Sequence, residues 1–123
     1  VSRRIGFQKE SLAEQYLKKS FAFKILDRNY RAKTGEIDII AKKGRDIYFV
    51  EVRYRKRLSM VNPEESITLD KMRKIANTAM LYIKHKRLKN VNFHFSVIAI
   101  DEEDIIFYPD AFSLEDAGLL SNL

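Results

Sequence analysis

Lys43-Gly44-Arg45-Asp46 lies between two runs rich in β-formers, Thr34 to Lys42 and Ile47 to Arg55. A two-residue loop with Gly first suits a type II′ hairpin turn, and the turn fixes which residues face one another. With Gly44 and Arg45 in the loop, Lys43 pairs with Asp46, Ile40 with Phe49, Asp38 with Glu51, and Glu36 with Arg53. Successive strand side chains alternate faces. One face then carries Ile37, Ile39, Ala41, Tyr48, Val50, Val52 and Tyr54, and reads as core. The other carries Thr34, Glu36, Asp38, Ile40, Phe49, Glu51, Arg53 and Arg55. That face is apolar near the turn and charged at its far end.

Like charges placed directly opposite in a ladder repel. Asp38 against Glu51 is such a pair, and a divalent cation would relieve it, since hard cations prefer oxygen ligands. The plainer alternative is a cross-strand ion pair between Glu36 and Arg53, with Arg55 neutralising Glu51. A slip of one residue in register would also separate the two acids. The residues alone leave these readings open.

Around the hairpin the expected order is helix, three strands, helix, two strands. Leu12, Ala13, Tyr16, Leu17 and Phe21 follow helical spacing and predict a helix over 8–21. Glu10 then falls in its first turn, where a carboxylate suits the helix dipole. A first strand is expected over Phe23 to Arg31, and a loop over Ser59 to Glu65 around Asn62-Pro63. Thr68 is a good N-cap for a helix reaching about His85, with Leu69, Met72, Ile75, Ala76, Ala79, Met80 and Ile83 as its apolar stripe. Phe93 to Ile100 alternates as a strand. A short strand follows from Ile105 to Tyr108, ended by Pro109. Asp110 to Leu123 reads as weakly specified. The loop and helix between the third and fourth strands are long enough for a parallel crossover. The expected fold class is α/β or α+β, a mixed β-sheet flanked by helices.

At 123 residues the chain makes one domain. It has no cysteine, which excludes disulfides and thiolate metal sites. The start, VSRRIGFQKES, lacks an apolar segment, and no run approaches the length of a membrane span. The expectation is a cytoplasmic protein with no membrane partner. Charge is unevenly spread. Residues 1–89 hold all 23 Lys and Arg against 10 acids, and residues 90–123 hold 7 acids with no Lys or Arg. A basic body favours a polyanionic partner, most often nucleic acid. Seven Lys or Arg and no acid fall between Lys71 and Lys89. A solvated, merely soluble surface is the bland alternative.

Several chemistries drop out. The chain has no G-x-G-x-x-G, Walker loop or G-x-S-x-G. His85 and His94 lack zinc-ligand spacing. Carboxylates, a cation and basic groups remain, a combination suited to phosphodiester hydrolysis, in which a metal lowers the pKa of water and stabilises charge on phosphate.

Gly35-Glu36-Ile37-Asp38-Ile39-Ile40-Ala41 followed by Phe49-Val50-Glu51-Val52-Arg53-Tyr54-Arg55 resembles the YraN (UPF0102) family. The likeness extends to Glu10, Ala13, Tyr16 and Leu17, to Arg28-Asn29-Tyr30-Arg31, and through Lys71 to about Ile100. That family is similar to the Holliday junction resolvase-like branch of the restriction-endonuclease superfamily. The resemblance implies a single-domain restriction-endonuclease-like fold, set as a nuclease-like domain over 1–110 with a C-terminal tail over 111–123. It implies Mg²⁺ or Mn²⁺ on Asp38 and Glu51 with Glu10 nearby, and Glu36 assisting from the family's own pattern. Arg53 stands where the superfamily has Lys. It keeps its proton, so it is no base, but it can stabilise developing negative charge. Ser96 stands where an acid is expected. Arg55, Lys56, Arg57, Lys71, Arg73 and Lys74 are the candidates for holding a DNA backbone. The expected function is a metal-dependent DNA endonuclease, acting on branched DNA and working as a homodimer. The alternative is a nucleic-acid-binding module on a nuclease fold that does not cleave.

Overall fold

The computed structural model describes residues 2–54 and 67–119, with side chains from residue 8 onward. The order is α1 (Ser2–Phe21), β1 (Lys24–Ala32), β2 (Gly35–Lys43), β3 (Asp46–Tyr54), α2 (Leu69–His85), β4 (Asn92–Ile100) and β5 (Ile105–Phe112). The strands form one sheet in sequence order. All neighbours are antiparallel except β3 and β4, which run parallel through the α2 crossover. Among the described residues the structure is a single-domain α/β arrangement, a mixed sheet with one helix on each face.

The central hairpin has the expected register, with Lys43 opposite Asp46, Ile40 opposite Phe49 and Ile39 opposite Val50. Gly44 takes φ +60° and Arg45 has no positive φ, as a type II′ turn requires. Both faces of the hairpin are buried, however, where the alternation suggested a single core face. Ile39, Ala41 and Val50 pack with Ala13 and Leu17 of α1. Ile40, Ile47 and Phe49 pack with Ile75, Ala76, Ala79 and Tyr82 of α2. A sheet covered on both sides needs apolar residues at both parities.

In β2 the alternation fails at Asp38. Ile37 has the parity of Ile39 but lies in the α2 cluster. In β1, Tyr30 opposite Ile37 packs on the α2 side, while Arg28 opposite Ile39 pairs with Glu14 of α1. Between those two pairs sit Asn29, at φ +52°, and Asp38. Asn tolerates the left-handed region better than most residues. Both strands therefore exchange faces at the level of Asp38.

Gly35 anchors the β1–β2 turn to α2. It takes φ +152°, and a Cβ there would lie 3.3 Å from both Lys74 Cβ and Thr78 Oγ1. Thr34 Oγ1 and Thr78 Oγ1 are 2.6 Å apart, and Thr78 also donates to the Lys74 carbonyl at 2.8 Å. Thr78 and Tyr82 are buried members of α2 that the expected stripe omitted, whereas Leu69 is exposed. Polar or half-polar residues enter the stripe because each has a partner: Tyr82 meets Tyr30 edge-on with centroids 5.0 Å apart.

Two further expectations are corrected. α1 begins at Ser2, so Glu10 lies in mid-helix and its carboxylate has no helix-dipole role. β5 does not stop at Pro109 but runs to Phe112. It is an edge strand, where a missing N–H is tolerated. Its register shifts between the pairs Val97–Tyr108 and Phe95–Phe112, so the segment with Pro109 bulges outward. Buried Ser96 donates its hydroxyl to the Pro109 carbonyl at 2.6 Å. A carboxylate, the expected residue type at 96, would have no hydrogen to give when ionised.

The strand therefore crosses the boundary expected after residue 110. Phe112 stacks on Phe95 with centroids 4.9 Å apart, and Ala117 is fully buried. Ser113 and Asp116 cap the turn between them reciprocally, each backbone N–H bonded to the other's side chain at 2.9 and 3.0 Å. Among the described residues, no helix is long and apolar enough to cross a membrane.

Candidate functional site

The pairing of β2 with β3 ends at Ile39–Val50, one step before Asp38 and Glu51. The Val52 N–H, next along β3, is taken instead by Asp38 Oδ2 at 2.8 Å. The face exchange at Asp38 thus turns its side chain toward β3, where the carboxyl replaces a backbone acceptor. β3 continues in register with β4 on its other side, Glu51 opposite Val97 and Arg53 opposite Ala99. Glu51 is held in place by that ladder while its β2 side opens.

Asp38 is pushed up from the ordinary carboxylate range to about 8. Burial is the largest cause, followed by the charge of Glu51; the Val52 N–H works the other way, and the hydrogen bond to Glu51 and the charge of Glu10 add to the rise. Burial and the charge of Glu51 thus favour the protonated form of Asp38, which shares a hydrogen bond with Glu51. Glu51 is only 11% exposed and has two cations beside it: Lys71 Nζ lies 3.6 Å and Arg53 Nη1 3.9 Å from its Oε2. Lys71 comes from the first turn of α2. Its backbone N–H donates to Thr68 Oγ1 at 3.2 Å, which makes Thr68 the N-cap and Lys71 the third helical residue. A cation there opposes the helix dipole, and an acid is the usual occupant. Glu51 supplies the compensating charge from the sheet. Glu51, Val52, Arg53, Tyr54, Thr68 and Lys71 line a depression of about 470 Å³.

A model of the uncharacterised protein family UPF0102 matches residues 9–100. The chain belongs to the UPF0102 family. A UPF0102 protein of Vibrio campbellii is 40% identical over 115 residues, covering 90% of this chain and 93% of its own. A UPF0102 protein of a Sulfurihydrogenibium species is 43% identical over 106 residues, with 86% and 91% covered. One from Caldicellulosiruptor saccharolyticus is 40% identical over 98 residues, with 80% and 82% covered.

The UPF0102 match spans Glu10, Asp38, Glu51, Arg53 and Lys71. Of the residues expected at the site, Asp38 and Glu51 meet directly, and Glu10 acts on Asp38 through its charge. Among the described residues, no three His, Asp or Glu side chains are arranged to hold a metal ion together. Glu36 does not form the cross-strand ion pair with Arg53 that was the plainer alternative, because the strand pairing ends at Ile39–Val50. It faces Arg31 of β1, with Arg31 Nε 3.6 Å from its Oε2.

Arg55, Lys56 and Arg57 lie outside the described residues. Lys74 forms an exposed i,i+4 pair with Asp70 at 3.1 Å. Arg73 donates from Nε to the Ala117 carbonyl at 2.9 Å and so ties α2 to the turn after β5. Lys71, expected on a basic helix face, lies at Glu51. The signal was present in the sequence as a Lys three places after a Thr N-cap, where helices favour Glu or Gln.

A second polar cluster lies at the other end of β3. His94 binds Asp46 Oδ1 through Nε2 at 2.8 Å and Asp110 Oδ1 through Nδ1 at 2.6 Å. Its ring stacks on Tyr48 at 4.6 Å. Burial alone would lower the imidazole pKa, but the two carboxylates outweigh it and the net direction is up.

Proposed function

We propose that this UPF0102 protein is a metal-dependent nuclease acting on DNA. The observation that carries the reading is the convergence of Asp38 and Glu51 where β2 parts from β3, with Lys71 and Arg53 alongside. Two carboxyl groups forced together in a half-buried place suit a hard divalent cation, whose ligands are oxygens. Asp38 and Glu51 would hold Mg²⁺ or Mn²⁺. When bound, the ion would supply positive charge against the phosphate and lower the pKa of water.

The chain's own groups do the rest. Hydrolysis forms a bond from a water oxygen to phosphorus and breaks the bond to a sugar oxygen, which leaves with a proton. Negative charge gathers on the phosphate as this happens. Arg53 and Lys71 offset it from two elements, and Arg53 keeps its proton throughout. The fixed register of β3 on β4 keeps Glu51 and Arg53 at constant spacing.

The second reading is a DNA-binding module that does not cleave. Its support is that Lys71 and Arg53 both lie within ion-pair distance of Glu51. Labelled linear, single-stranded and four-way-junction DNA, incubated with Mg²⁺, Mn²⁺ or chelator beside Glu51→Gln, separates the two. Cleavage that needs metal and is lost in the variant is the expected result. Binding without cleavage under every condition, equal in both proteins, sinks the nuclease reading.

A further inference from the structure

Tyr54 ends β3, directly after Arg53. Val50 and Val52, at the same parity, pack in the α1 cluster, yet Tyr54 is 45% exposed. Lys9 Nζ of α1 sits 3.6 Å from its ring centroid. The residue also lines the depression that holds Glu51, Arg53 and Lys71. An aromatic ring is therefore half-presented to solvent under Lys9, in a depression whose lining also includes Arg53, Lys71 and Glu51.

Burying a Tyr is favourable, so a half-exposed ring in an otherwise packed strand is informative. Lys9 on the ring and Arg53 and Lys71 in the shared lining fit a polyanion, and an aromatic face there fits a base. In a duplex the base faces are already occupied by their neighbours. An unpaired base has a free face to offer. Resting on the nuclease reading above, we propose that Tyr54 stacks an unpaired base of a strand whose phosphate lies against Arg53 and Lys71. The substrate class is then single-stranded or locally unpaired DNA. Lys9 steadies the half-exposed ring by cation–π attraction.

The test is fluorescence anisotropy in chelator with a labelled single strand and the same sequence as duplex, for wild type, Tyr54→Phe, Tyr54→Leu and Tyr54→Ala. Loss of one stack weakens single-strand affinity roughly 5- to 150-fold in the Leu and Ala variants. The Phe variant stays within about twofold of wild type, and duplex affinity stays level across all four. Tyr54→Leu keeps apolar bulk, so it remains informative if Tyr54→Ala melts early. An unchanged single-strand affinity in Tyr54→Leu overturns the proposal, as does an equal loss for strand and duplex. The readout needs no cleavage. Glu51-dependent cutting by a protein whose binding ignores Tyr54 overturns this inference alone. Tyr54-dependent binding without cutting overturns the nuclease reading alone.

Discussion

Asp38→Asn isolates the electrostatic strain of the site. Wild-type Asp38 has a folded-state pKa of about 8 against an ordinary value of 3.8. Between those values the folded protein holds a proton that the unfolded chain has released. Stability is thus full below the unfolded pKa and falls as pH rises toward the folded one, by about 1.4 kcal/mol per pH unit. Asn keeps the essential contacts: its carbonyl oxygen accepts from the Val52 N–H, and its amide donates to Glu51 as the protonated acid does. It does not titrate. From pH 5 to pH 7 in chelator, the variant should gain about 2–3 kcal/mol on wild type. Urea unfolding at half-unit pH steps reads this directly. Stability curves that stay parallel within about 0.5 kcal/mol would refute the account of Asp38 as a buried acid pressed against Glu51. Adding Mg²⁺ should stabilise wild type above pH 7 and leave the variant less affected, since binding to the folded state adds RT ln(1 + [L]/Kd).

Gly35→Ala should destabilise by about 1–3 kcal/mol, from a strained φ and a Cβ pressed on Lys74 and Thr78, measured as a shift in thermal midpoint. Ser96→Ala should cost about 1–2 kcal/mol in urea unfolding by stranding the Pro109 carbonyl; a neutral result would mean that the bulge does not need the hydroxyl. The His94 imidazole should titrate above 6.5 by NMR and move down in Asp110→Asn. Its raised pKa stabilises the fold below the unfolded value, and that contribution fades as pH rises through the folded one. A midpoint at or below 6.5 would exclude the double carboxylate clamp.

The hairpin register was readable because Gly44 dictates the turn, and the turn dictates every pair up to Ile39–Val50. Thr68 likewise marked the start of α2 through local chemistry. What escaped was set by distant partners. Ile37-Asp38-Ile39 looks like regular alternation, and only the reversal at Asn29 in the neighbouring strand reveals that faces are exchanged there. The same event leaves Glu36 beside Arg31 and not Arg53, its partner in the plainer alternative. Pro109 was read by its local rule, which an edge position and a hydroxyl from Ser96 relax. The segment after β5 reads as weakly specified by composition, yet Ser113-Leu114-Glu115-Asp116 carries a capping pattern that the fold uses.

The interruptions in β1 and β5 have a consequence for self-association. These two strands are the margins of the sheet. β1 carries a register shift between Ile25 and Asp27, a left-handed Asn29, and Lys24, Arg28 and Arg31. β5 carries the bulge and a proline that offers no donor. Neither margin presents the flat, unbroken row of amides on which another chain could add a strand. Two copies of this protein would therefore meet through helices, loops or the ends of the sheet, and their sheets would remain separate.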